Sequence, residues 1–232
     1  MLPDKRNLSG SIFIFNLTFS PFYDTMEIER KTYERQVIYM SKIITISREY
    51  GSGGKFIGEL VAKKLGLPFY DREIMEKVAE ETGFVHEYVE RLAEYAPSKS
   101  IFAYSFVGRN SAGESMEDYI HGVQRQIILN IAAEGPCVIV GRSADYILKN
   151  VHPCLNVFIH GDMPHKVARI MDIYGVSDAE AEKRIKEMDK KRSINYKYYT
   201  GNTWGGRENY DITLNSSTLG IDKCVEIITG LV

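Results

Sequence analysis

The stretch Ile43-Ile44-Thr45-Ile46-Ser47-Arg48-Glu49-Tyr50-Gly51-Ser52-Gly53-Gly54-Lys55-Phe56-Ile57-Gly58 decides how the chain is read. A short apolar, β-branched segment suited to a central parallel strand runs into a glycine-rich turn, a lysine and a helix. Phe56, Ile57, Leu60, Val61 and Leu65 recur at helical spacing after the turn, and Gly66 supplies a stop. Strand, glycine loop, lysine and helix, in that order, make a phosphate cradle. The glycines admit a polyphosphate close to the backbone, the N–H groups and helix N-terminus favour its charge, and Lys55 reaches the β- and γ-phosphates. Gly51, Ser52, Gly53, Gly54, Lys55 and Phe56 are therefore the expected triphosphate contacts. The consensus is met in part: Glu49 stands where the first glycine belongs, and Phe56 where a magnesium-holding Ser or Thr belongs. The plainer alternative is a glycine-rich turn with a solvated lysine.

Working outward, Leu67 to Asp71 reads as a second strand ending in a carboxylate, followed by Arg72; polar groups at that end of an open α/β sheet face the ligand side. A helix cap and a surface charge are the ordinary reading of that pair. Two helices are expected from Glu73 to Tyr95, broken near Thr82-Gly83, and then a mobile stretch from Ser98 to Ser115. A long helix covers Met116 to Glu134, and a third strand, Cys137 to Val140, runs straight into Gly141-Arg142. Ser143 is the expected cap of the next helix. A fourth strand, Leu155 to His160, leads to a helix start at Asp162-Met163-Pro164, with an N-cap candidate and an early proline. The stretch from Ser177 to Tyr199 reads as a charged helix that contains Arg184 and Arg192 and passes into a glycine-punctuated aromatic loop through Trp204. Such a run is ordinarily a solvated face; a closing lid with cationic residues is the sharper reading. Asp211 to Leu214 is the fifth strand and Ile221 to Leu231 the closing helix. Strands separated by helices predict an α/β fold, a five-stranded parallel sheet flanked by helices. The long connections supply an insertion over about 72–135 and a lid over about 177–206.

The formal net charge of the 232 residues is −2 with both signs interspersed, which argues against a nucleic-acid partner. Cys137, Cys154 and Cys224 are odd in number and lack metal-ligand spacing, the pattern of thiols in a reducing, cytoplasmic setting, and no metal site is expected from the histidines. Residues 1–40 do not resemble the rest. Ser11 to Phe19 is too short to span a membrane and has no signal-cleavage pattern, so the leader is expected to be dispensable or a start-site artefact ahead of Met40, with 41–232 as the folded domain.

Ser47-Arg48-Glu49-Tyr50-Gly51-Ser52-Gly53-Gly54, Phe69-Tyr70-Asp71-Arg72-Glu73-Ile74, Val140-Gly141-Arg142, Asp189-Lys190-Lys191-Arg192 and Tyr198-Tyr199-Thr200-Gly201 through Trp204 together resemble the cytidylate-kinase-like proteins, a branch of the nucleoside monophosphate kinases, from about Lys42 to the C-terminus. The resemblance implies a phosphate-loop sheet with a monophosphate-binding insertion and a lid. It also implies transfer from ATP, with Mg2+, to a nucleoside monophosphate, cytidylate first among candidates. On that footing Lys55, Arg142, Arg192 and Arg184 are the expected catalytic cations, and Asp71, Arg72, Arg142 and Ser143 the acceptor contacts. True cytidylate kinases carry an aspartate directly after the Gly-Arg, where this chain has Ser143. The alternatives are a kinase for another small-molecule acceptor and an ATP-binding sensor or interaction module without turnover.

Overall fold

The computed structural model describes residues 43–94 and 115–232. The expectations for the leader and for the stretch from Ser98 to Glu114 fall outside the described residues. Five parallel strands, β1 (Ile43–Arg48), β2 (Phe69–Tyr70), β3 (Cys137–Val140), β4 (Cys154–His160) and β5 (Ile212–Asn215), are ordered β2-β3-β1-β4-β5. The most apolar stretch of the chain thus lies at the centre, with Ile44 opposite both Val138 and Leu155. Parallel neighbours require crossovers, and helices provide them.

Side-chain alternation on β1 divides the core into two layers. Ile44 and Ile46 turn to one face, packed with Ile57 and Val61 of α1 (Gly54–Leu65) and Val225 and Ile228 of the closing helix, α9 (Ile221–Thr229). Ile43 turns to the other, where α2 (Glu73–Thr82), α3 (His86–Glu94) and α4 (Met116–Glu134) contribute Ile74, Val89 and Ile128. Further along that second face the apolar pattern stops. Thr45 donates to Asn156 Oδ1 at 2.7 Å and Ser47 to Asp145 Oδ1 at 3.3 Å. The strand becomes polar where it approaches the ligand edge.

Three local readings change. β2 is two residues long, because Pro68 has no N–H to pair; its carbonyl still accepts from Val138 N. Ser143 precedes α5 (Ala144–Leu148) but lies in the left-handed region, and its hydroxyl makes no cap bond. Asp162 precedes α6 (Met163–Tyr174) without capping it; its carboxylate accepts from Asn215 Nδ2 at 3.2 Å instead. The charged stretch is helical as expected, forming the 23-residue α7 (Asp178–Thr200), capped by Ser177. A single turn of 3₁₀ helix leads to β5, and the short α8 (Ser216–Leu219) joins β5 to α9. Among the described residues no helix is long and apolar enough to cross a membrane.

Candidate functional site

The loop after β1 is a tight nest. Gly51 and Gly53 take φ of 81° and 78°, a region costly for a residue with a Cβ, and Gly53 stands at the N-terminus of α1. Ser52 is buried, and its hydroxyl donates to Glu49 O at 2.8 Å. Glu49, in the place of the first consensus glycine, has a structural use. Its carboxylate accepts from Gly161 N and, at 2.8 Å, from the buried Lys166 Nζ. Lys166 also reaches Asp189 Oδ2 of α7 at 3.3 Å, while Asp189 Oδ1 accepts from Tyr50 N at 2.7 Å. The glutamate therefore ties the loop to the two helices that follow β4.

Lys55 projects from the first turn of α1, 46 % exposed, with Nζ 3.0 Å from Asp71 Oδ2. Asp71 is buried just beyond β2 and is also met by Arg48 Nη2 at 3.3 Å. Burial pushes its carboxyl up, but Arg48, Lys55 and Arg142 outweigh that and hold it below the usual carboxylate range. Arg48 comes from the last residue of β1 and threads between two glycines. A Cβ on Gly54 would lie 2.4 Å from Arg48 Cβ, and one on Gly141 would lie 1.9 Å from Arg48 Nη1. Burial, then Arg192 and Arg142 nearby, lower the Arg48 guanidinium to about 9 against the opposing pull of Asp71. It stays cationic at neutral pH.

Arg48 opens into a cavity of about 110 Å3 lined also by Gln124, Arg142, Lys191, Arg192 and Tyr196. Arg142 and Ser143, also at its wall, are consecutive non-glycine residues with φ of 56° and 53°. Strain of this kind costs of order 1–3 kcal/mol per residue and gathers at ligand sites. Gln124 Nε2 donates to Arg142 O at 3.4 Å. The roof is α7. Arg192 Nη1 donates to Arg48 O at 2.8 Å, and Tyr196 Oη donates to the buried Asp145 Oδ2 at 2.6 Å. Burial raises the Asp145 carboxyl, with the bonds from Tyr196 and Ser47 opposing. A second cavity, about 370 Å3, lies on the other side of the loop between Gly51, Ser52, His165, Arg169 and Ser216.

Of the residues singled out in the sequence, Arg142, Ser143 and Arg192 share the first cavity, and Lys55 reaches it through Asp71 and Arg48. Arg72 is exposed at the start of α2, and Arg184 pairs with Glu180 at 2.8 Å; neither lines the cavity. Arg184 precedes Arg192 by eight residues, about 12 Å along a helix. Phe56 is 49 % exposed beside Lys55 and offers no oxygen. The sequence reading gave no role to Arg48, Glu49, Lys166, Asp145 or Tyr196. The available signal was a pair of charges at the end of an otherwise apolar central strand.

A glycine-rich loop at the end of the central strand, a lysine on the helix behind it and a cationic cavity under a long helix define a phosphate-loop kinase fold. The chain belongs to the cytidylate kinase-like family, whose model matches residues 43–218. It is similar to the solved structure of an uncharacterized protein from Eubacterium ventriosum ATCC 27560, with 26 % identity over 81 % of this chain and 96 % of that one and a TM-score of 0.62. It is also similar to shikimate kinase from Bacteroides thetaiotaomicron (18 % identity, 82 % and 96 % covered, TM-score 0.47). A third likeness is to dephospho-CoA kinase from Campylobacter jejuni (14 %, 83 % and 98 %, 0.42). Comparison with curated proteins gives no match. Family and fold support a phosphotransferase.

Proposed function

We propose that the protein transfers the γ-phosphoryl group of ATP to a nucleoside monophosphate bound in the cavity lined by Arg48, Arg142 and Arg192, with cytidylate the first acceptor to test. The observation that carries this reading is the continuous chain Lys55–Asp71–Arg48, which joins the phosphate loop to that cavity through contacts of 3.0 and 3.3 Å. Donor phosphates would lie on the backbone from Gly51 to Phe56 with Lys55, and the donor's base and sugar would extend toward the second cavity beside Arg169. The acceptor phosphate would meet Arg142, whose planar fork can hold two of its oxygens at once. Phosphoryl transfer asks for positioning and charge stabilisation rather than covalent chemistry, so a cluster of fixed cations is the machinery it requires. Helix α7 over the cavity would exclude water and limit hydrolysis.

Magnesium enters this reading as part of the ATP chelate. Phe56 offers no oxygen, Asp71 lies between two cations, and the Ser52 hydroxyl, which donates to Glu49 O and keeps its lone pairs, is a single neutral ligand. Among the described residues no group of three or more His, Cys, Asp or Glu could hold a metal. These side chains do not fit a resident ion.

The test is an acceptor screen with ATP and magnesium, read as phosphorylated product rather than ATP loss. Formation of cytidine diphosphate, or of another nucleoside diphosphate, supports the reading. Ser143, where cytidylate kinases carry an acid, favours a second reading in which the acceptor is a different small hydroxyl or phosphate compound, and product in that part of the panel would select it. ATP binding with no product from any acceptor would favour a sensor without turnover.

A further inference from the structure

We propose that Arg48 is a catalytic residue whose guanidinium touches the phosphoryl group in flight between the two sites. The inference deepens the proposed function and rests on it, but the residue is chosen by geometry. A cation that serves the transferred group must stand where the donor and acceptor sites meet, and Arg48 stands there on four independent counts. Its Cβ is pressed against Gly54, the first residue of α1 and part of the phosphate loop. Its Nη1 lies over Gly141, in the turn that carries Arg142. Its Nη2 shares the Asp71 carboxylate with Lys55. Its own carbonyl accepts from Arg192, the residue of α7 that lines the same cavity.

The two glycines give the placement its force. A methyl at Gly54 or Gly141 would collide with this side chain, at 2.4 Å and 1.9 Å, so the guanidinium has a channel cut for it between the loop and the β3 turn. Such a fixed cation is preorganised and costs no rearrangement when charge develops on the equatorial oxygens. Burial first, then the like-charged Arg192 and Arg142, make Arg48 harder to keep protonated than an ordinary arginine, with Asp71 opposing. An arriving anion relieves that cost, and the relief is largest for the group carrying most charge. Arg48 also stands on the central strand, which is hydrogen-bonded to a neighbour on each side. Arg192 belongs to α7 and moves with that helix, whereas Arg48 belongs to the sheet itself.

The experiment uses ADP with magnesium and aluminium fluoride, which imitates the transferring phosphoryl and needs no knowledge of the acceptor. Thermal unfolding of the full chain is followed with ADP·Mg alone and with ADP·Mg plus aluminium fluoride, for the wild type, Arg48→Lys and Arg48→Ala. The wild type should gain a further rise in midpoint from the fluoride. Arg48→Ala should keep the ADP rise and lose the further one, and Arg48→Lys should recover part of it. With the acceptor that the screen identifies, Arg48→Ala should lower kcat by about 10²–10³ with a much smaller change in ATP affinity, and millimolar guanidinium should restore part of the rate. If Arg48→Ala fails to fold, Arg48→Lys carries the test, since a lysine fits the channel but loses the fork. A full fluoride increment in Arg48→Ala, or in Arg48→Lys with unchanged kcat, overturns the inference and leaves the proposed function standing. A wild type that binds neither ADP nor ATP overturns both.

Discussion

Asp71 is buried between Lys55 and Arg48, so it both stabilises the fold and holds the two cations apart. Asp71→Asn leaves those cations without their anion. Removing one partner from a buried pair typically costs roughly 3–5 kcal/mol, and the half-exposed Lys55 brings the expected loss to about 2 kcal/mol, read from urea unfolding. The folded carboxyl titrates below its ordinary value of 3.8. The contribution is therefore complete above about pH 4 and is lost as pH falls through the lower folded value. Wild type and Asp71→Asn should differ by a constant amount from pH 5 to 7 and converge in stronger acid. A gap that widens in acid would contradict the assigned charge. Lys55→Ala should cost less stability than Asp71→Asn, because its side chain is half in water and Arg48 still pairs Asp71, while transfer falls by about 10²–10³. A folded Lys55→Ala protein with wild-type turnover would refute the phosphate-loop reading. Lys55 was legible in the sequence because backbone order and glycine spacing mark it. Arg48 was not, although it lies in the same stretch, because its importance comes from Gly141 and Asp71, residues distant in the chain that only the sheet brings together.

At the scale of elements, apolar periodicity located α1, α4 and the central strands to within a residue or two, because each buries a continuous apolar face. Helix α7 gave no such signal. Three of its 23 residues are buried, Ala181, Ile185 and Tyr196, and the groups that anchor it are polar. Asp189, Arg192 and Tyr196 fall at i, i+3 and i+7 and so share one face, bonding to Tyr50 N, Arg48 O and Asp145. Polar anchors over a cavity open at lower cost than an apolar seam. The amides of Asp189 to Thr200 should therefore exchange faster than those of β1 in the free protein and slow markedly when ATP and acceptor are both bound. Equal exchange in the two states would count against a lid. The far end of α7 adds a pH dependence. The Tyr199 ring stacks on His121 of α4 at 3.6 Å. Burial, aided by Arg125 and opposed by Asp118, lowers the histidine to about 4. Between about pH 6.5 and 4 the unfolded chain binds a proton that the folded chain refuses, so stability falls as pH falls through that window. His121→Phe keeps a ring against Tyr199 and removes the proton. Relative to the wild type it should gain stability from pH 6.5 down to 4 and level off below. A difference independent of pH in urea titrations would show that this stack does not exclude the proton.

Across the whole molecule, the ends of β1 and β3 line one cavity and the loop after β1 lines the other together with α6 and α8, and this division predicts that ligand effects separate by site. A ligand that binds only the folded chain at about 100 times its Kd adds about 2.7 kcal/mol, and a domain of this size gains roughly 2–4 °C per kcal/mol. Each substrate should thus raise Tm by several degrees. Arg142 lines the cavity away from Gly51 and Ser52, so Arg142→Ala should preserve the rise given by a non-hydrolysable ATP analogue and lose the added rise from the acceptor. Backbone geometry supplies a control. Arg142 sits at φ 56°, where a side chain costs about 1–2 kcal/mol and glycine costs little. Arg142→Gly should therefore unfold at a higher temperature than Arg142→Ala while binding acceptor no better, which separates lost recognition from lost stability. Ser143 gives the companion comparison: Ser143→Asp should strengthen the response to cytidylate if that position is part of the nucleotide pocket. Should Arg142→Ala instead abolish the response to the ATP analogue and spare that to the acceptor, the donor and acceptor sites are exchanged, and the cytidylate reading loses its main support.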